Sequence, residues 1–111
     1  MISSLGSLRR HAAAGSLAVL ALTAALPLQA ADTAGRDLAA SCAACHGTDG
    51  NASGRMVVLA GQDRAVLVEK MLGFKTGGKT ATVMHQHAKG YSEVEIGLIA
   101  DYFSTRTRAA Q

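Results

Sequence analysis

Residues Ser41 to Gly50 read SCAACHGTDG. Both cysteines of the chain lie here, Cys42 and Cys45, with His46 directly after the second. On a helical turn, residues three and four apart are neighbours, so the two thiols and the imidazole project to one side. Several chemistries use so tight a set: a redox dithiol, a metal site, a structural disulfide, or covalent attachment of a tetrapyrrole through its two vinyl groups.

Working outward from this turn, the N-terminal segment has a different composition. MISSLGSLRR carries Arg9 and Arg10, AAAGSLAVLALTAAL follows without a charge, and PLQA precedes Ala31 and Asp32. A basic start, an apolar stretch and a small-residue site form the pattern of an export signal. Residues 1–30 are therefore expected to be a cleaved signal peptide, with cut after Ala30, and 31–111 the working domain. The apolar stretch falls short of the roughly 20 residues a membrane span needs, and Pro27 closes it, so no stable span is expected after cleavage.

Removal of the leader changes the charge. The full 111-residue chain has 11 Lys and Arg against 8 Asp and Glu, a formal +3. Without Arg9 and Arg10 nine basic residues face eight acidic ones, and the balance is +1. No Lys/Arg block remains, which argues against nucleic acid as a partner. Outside the cytoplasm, cysteines become disulfides, ligands or attachment points. A domain of roughly 80 residues buries too little surface to be comfortably stable alone. This one has no Trp, and its aromatics are Phe74, Tyr91, Tyr102 and Phe103. Something besides side chains is expected to supply core.

The coarse organisation is all-α. DTAGRDLAASCAACH is Ala-rich behind Asp32 or Thr33 as a cap. A helix is expected from about Asp63 to Lys75, with Leu67, Met71 and Phe74 on one face. Ser92 and Glu95 stand in capping-box spacing ahead of Ile96, Ile99 and Phe103. The connections GTDGNASGR and TGGKTATVMHQHAKG read as two long loops, and no strand alternation persists.

With this context the opening turn resolves. Cys-x-x-Cys-His is the spacing of c-type haem attachment, with Cys42 and Cys45 forming the thioethers and His46 meeting the iron. A redox dithiol normally sits in a βαβ pattern, which is missing here. A zinc site would have to recruit His85 and His87, whose spacing is one residue, not the usual three to five. One covalent haem c is the expected cofactor. For the other axial position Met56, Met71 and Met84 compete. Met71 lies on an apolar helical stripe, whereas Met84 sits in a polar stretch that gives a thioether little structural purpose. His85 and His87 are alternatives, either as ligands or as solvated side chains. Leu59, Leu67, Val68, Met71, Leu72 and Ile96 are candidate wall residues. Lys75, Lys79 and Lys89 gather near Met84, where they would steer a partner or simply be solvated.

The motifs CAACHGTDGN, LAGQ, TVM, AKGYSEVEI and IADYF, spread over about Ala34 to Ser104, resemble the class I cytochromes c. More narrowly, TVM followed by AKGYS is similar to the cytochrome subunit of flavocytochrome c sulfide dehydrogenases. The resemblance implies three or four helices wrapped around one haem, thioethers at Cys42 and Cys45, and His46 and Met84 as axial ligands. It also implies that Gly35 lets Tyr102 pack close. Relatives usually carry a proline at the position of Val57, whose carbonyl accepts a bond from the proximal histidine. The implied activity is periplasmic electron transfer, with electrons arriving from a flavoprotein sulfide dehydrogenase subunit. The alternatives are a free carrier serving another redox protein, or a small zinc or dithiol module.

Overall fold

The computed structural model describes residues 26–110, with side chains from Ala30 onward. Most of the expected leader lies outside these residues. Every regular element described is helical: α1 (Leu26–Ala39), a 3₁₀ turn (Ala40–Cys42), α2 (Ala43–His46), a second 3₁₀ turn (Thr48–Gly50), α3 (Arg64–Thr76), α4 (Met84–Lys89) and α5 (Glu93–Ser104). Among the described residues no helix is long and apolar enough to cross a membrane.

Local chemistry sets the boundaries. Asp63 caps α3, its carboxylate accepting from Ala65 N at 2.8 Å and Val66 N at 3.2 Å. Gly77 ends that helix in the left-handed region, φ 82°. Ser92 and Glu95 form the expected capping box: Glu95 N donates to Ser92 Oγ at 3.2 Å, and Ser92 N donates to Glu95 Oε2 at 2.7 Å.

Two expectations need correction. The first helix does not run as one piece from Asp32 through His46; it starts at Leu26 and tightens into a 3₁₀ turn before α2. Ser41 contributes to the break, since its hydroxyl turns back toward the Leu38 carbonyl at 3.5 Å. The stretch expected as a loop around Met84 contains α4, with Met84 as its first residue.

Helix α1 crosses α5 at Gly35. A Cβ there would lie 2.6 Å from Leu98 O and 3.4 Å from Tyr102 Cβ, so only glycine permits the approach. Helix α3 packs on α4 and α5. The core is Ala39, Leu67, Ile99, Ala100 and Phe103, with Leu38, Cys42, Leu59, Val68, Tyr91 and Tyr102 packed around it. Arg64 Nε donates to Asp101 Oδ1 at 2.5 Å and ties α3 to α5. Both side chains are half exposed, so solvent screens this pair and it contributes little.

Candidate functional site

Cys42 ends the first 3₁₀ turn, and Cys45 and His46 are the last residues of α2. One continuous turn thus carries all three. Cys42 is half-buried against the core and Cys45 is exposed. Burial pushes the Cys42 thiol pKa up, opposed by its hydrogen bond with Ser41. The chain leaves the turn at Gly47, φ 76°, where a Cβ would stand 2.5 Å from Asn51 O. Gly50, φ 75°, then lies under Phe103 and the Leu59–Ala60 backbone.

His46 Nδ1–H donates to the Val57 carbonyl at 2.8 Å. That bond fixes the tautomer, because the remaining lone pair is on Nε2, the nitrogen free to bind iron. Replacing proline by valine at position 57 therefore keeps the bond, since it uses only the carbonyl. Leu59 N and Ala60 N both donate to Gly50 O, at 2.8 and 3.2 Å, closing the loop that presents Val57. Asn51 fastens the same loop to the C-terminal segment: its Nδ2 donates to Thr107 O at 3.1 Å and its Oδ1 accepts from Ala109 N at 2.7 Å. The Tyr102 hydroxyl donates to Asp49, which raises the tyrosine pKa. The Arg106 guanidinium lies 4.5 Å from the centre of the Tyr102 ring.

Met84 is half-buried at the start of α4, on a different element from the cysteines. Ala88, completely buried, seats this short helix. Met71 is half-buried on α3, while Met56 is 45% exposed in the loop before Val57. His85 is half-buried and His87 exposed. Among the described residues no group of three or more His, Cys, Asp or Glu side chains comes together to hold a metal ion. Lys75 is not a free surface charge either, because its amine donates to the Tyr91 carbonyl. Lys79 lies 5.7 Å from the centre of the Phe74 ring, and Lys89 is exposed.

Sequence reasoning missed Asn51, Asp49, Tyr91 and Ser41 as supports of the site. Their partners lie 50 or more positions away, and no local pattern announces them.

The residues fit a haem. Its two vinyl groups need two thiols on one turn, and its iron needs an imidazole of fixed tautomer. The plane needs apolar cover: Leu59, Val68, Met71 and Leu72 are only half-buried, and Val83 and Met56 are exposed. Among the described residues half of the buried apolar ones are alanines, and Ile96 is the largest side chain fully enclosed. A core this thin gains from a large apolar group.

A small helical chain with this turn defines the class of proteins that carry covalently attached haem. The comparisons narrow it. No protein-family model matches the chain. The cytochrome subunit of sulfide dehydrogenase of Chlorobaculum tepidum is 43% identical over 77 residues, covering 69% of this chain and 70% of that protein. Cytochrome c-553 of Nitratidesulfovibrio vulgaris is 35% identical over 96 residues, covering 79% of this chain and 94% of the relative. The solved cytochrome c4 of Acidithiobacillus ferrooxidans superposes with a TM-score of 0.62 at 26% identity, over 68% of this chain and 49% of that one, so the match spans about half of the cytochrome c4. The chain belongs to the class I c-type cytochromes. It carries one covalently bound haem c and transfers electrons through it.

Proposed function

We propose that this chain is the electron-accepting cytochrome partner of a flavoprotein sulfide dehydrogenase, working in the periplasm after loss of residues 1–30. Cys42 and Cys45 form the thioethers, and His46 and Met84 are the axial ligands. The observation that carries the ligand reading is the bond from His46 Nδ1–H to the Val57 carbonyl at 2.8 Å, which leaves Nε2 for the iron. The partner reading draws on the similarity to the sulfide dehydrogenase cytochrome subunit and on the AKGYS sequence behind Met84.

When bound, the haem supplies a one-electron couple between ferric and ferrous iron. The chain keeps both states alike in geometry. Val57 holds the His46 ring, and the loop under Val57 is itself fastened through Gly50 and Asn51. Met84 presents a neutral thioether, which favours the ferrous state and raises the potential. Leu59, Leu67, Val68, Met71 and Leu72 exclude water and act in the same direction, since a dry site disfavours the extra charge of ferric iron. Lys79 and Lys89 are the cations near Met84 left to meet an acidic partner rim, Lys75 being engaged with Tyr91.

The test is stopped-flow reduction of the holoprotein by a purified sulfide dehydrogenase flavin subunit across a salt series. The rate should fall with salt as the Debye length drops from about 10 Å at 0.1 M to about 3 Å at 1 M. It should also fall on Lys79→Gln and Lys89→Gln while the potential stays put. If a chemical reductant works and no flavin subunit does, the partner reading fails. A second reading, a free carrier serving another redox enzyme, draws on the match along 94% of a cytochrome c-553. It predicts reduction by a different donor at equal haem content.

A further inference from the structure

Helix α4 has only six residues, and Tyr91 follows it after Gly90. Tyr91 N donates to Ala88 O at 3.3 Å, so its backbone belongs to the end of this helix. Its carbonyl accepts the Lys75 amine from the last turn of α3. Its hydroxyl reaches the end of α1 and the attachment turn. It lies 2.8 Å from Ser41 Oγ, 50 positions away, and 3.5 Å from the Leu38 carbonyl. Ser41 immediately precedes Cys42 in the attachment turn. The Tyr91 ring packs against the cluster of Ala39, Leu67, Ile99, Ala100 and Phe103, which limits its freedom to turn away. Among the described residues, both hydrogen bonds that run from residues 80–91 to α1 and the attachment turn are made by this one hydroxyl.

We propose that Tyr91 is a positioning residue that clamps the Met84 helix to the attachment turn, its hydroxyl pair with Ser41 resisting release of the Met84 sulfur from iron. This rests on the reading of Met84 as the distal ligand. The physical basis is local opening. A segment held mainly by its own backbone bonds separates from the body at low free energy, and the few ties that cross set that free energy. Residues 83–90 are bonded mostly within themselves: Gln86 N and His87 N donate to Val83 O, and Gly90 N donates to His87 O. Removing one neutral hydroxyl pair should shift such an equilibrium about fivefold.

Exogenous imidazole reads the equilibrium directly, because its apparent affinity scales with the fraction of molecules whose sulfur is detached. In the ferric holoprotein, Tyr91→Phe keeps the ring and removes the hydroxyl. We expect imidazole to bind about fivefold more tightly. Ser41→Ala, at an exposed position, should do the same, and the double variant should gain no more than either single. Ser104→Ala removes a neutral hydroxyl bond, to the Asp101 carbonyl within α5, that touches no part of α4, and should leave imidazole affinity unchanged. A lowered denaturant midpoint with unchanged imidazole affinity in Tyr91→Phe would make the tyrosine merely structural and overturn the proposal. Additive effects in the double variant would overturn it too. Met84→Leu separates the two readings. Survival of the ferric Met–iron charge-transfer band in that variant refutes the ligand assignment. Loss of the band in Met84→Leu, together with no imidazole effect of Tyr91→Phe, refutes the clamp alone.

Discussion

The chain from Ser41 to Gln62 carries His46, the chain from Gly77 to Tyr91 carries Met84, and the two are fastened differently. In the first, the Gly50 carbonyl collects two amides, His46 leans on Val57, Asp49 takes the Tyr102 hydroxyl, Asn51 grips the C-terminal segment, and Gly61 N donates to Phe103 O at 3.0 Å. In the second, the bonds are mostly those of one short helix, plus Lys79 N to Gly73 O at 3.0 Å and the Tyr91 contacts. The lesson is a division of labour. The histidine side is fastened by bonds that cross the fold. The methionine side is held by packing of α4 on α3 through buried Ala88 and by a few crossing ties.

The harshest way to break that comparison is to remove the attachment. Cys42→Ala with Cys45→Ala should yield almost no folded protein in the exporting compartment, since half of the buried apolar residues described are alanines. Far-ultraviolet circular dichroism and denaturant titration of the purified chain provide the check. A cooperative, native-like helical apoprotein would show that both sides are prebuilt, and the contrast would disappear.

Two glycines sharpen it. Gly50 and Gly77 both have left-handed backbones, φ 75° and φ 82°. A Cβ on Gly50 would meet Phe103 Cδ1 at 2.8 Å and Ala60 N at 2.9 Å, whereas one on Gly77 meets nothing within 4 Å. Gly50→Ala adds a steric clash to the backbone cost and should destabilise the holoprotein by about 2–4 kcal/mol. Gly77→Ala bears the backbone cost alone, about 1 kcal/mol. Equal denaturant midpoints for the two variants would mean that the loop under His46 yields as easily as the approach to Met84.

Much of this was legible in the sequence, and unevenly so. The attachment turn, the Ser92–Glu95 box and the α3 and α5 stripes are signals local to a few residues, and each landed within a residue or two. Gly35 was legible only through a resemblance, because nothing near it in sequence reveals that Leu98 O will lie 2.6 Å from a would-be Cβ. Helix α4 was hidden for a physical reason. MHQHAK has no apolar period, only Ala88 is buried, and its N-cap Val83 makes no side-chain bond. Lys75 illustrates the opposite failure, a residue read as surface charge whose amine is used by a backbone carbonyl 16 positions on. Pattern reasoning finds what a residue does for its own helix; bonds across the fold need the fold.

The smallest effect lies at the joint between the two regions, where Tyr91 hands over to α5. Ser92→Ala removes the cap hydroxyl and should cost about 1 kcal/mol. Glu95 adds a pH dependence. The Ser92 backbone N–H bond holds its carboxyl below the usual carboxylate range, helped by the Ser92 side chain and by the charge of Lys75, against a small opposing effect of burial. A carboxylate whose folded pKa is depressed contributes stability that is present above the unfolded value, about 4.3, and is lost as pH falls through the folded value. The difference in denaturant midpoint between wild type and Glu95→Gln should therefore be constant from neutral pH down to about pH 5 and shrink below about pH 4. Other carboxylates, haem propionates included, titrate in both proteins and cancel in that difference. If the cap serves α5 alone, Glu95→Gln should leave imidazole affinity unchanged. If the cap also steadies Tyr91, Glu95→Gln should raise imidazole affinity at neutral pH, where the Glu95 carboxylate is charged and the imidazole neutral. A difference that grows on acidification would reverse the sign and rule out the charged capping box as its source.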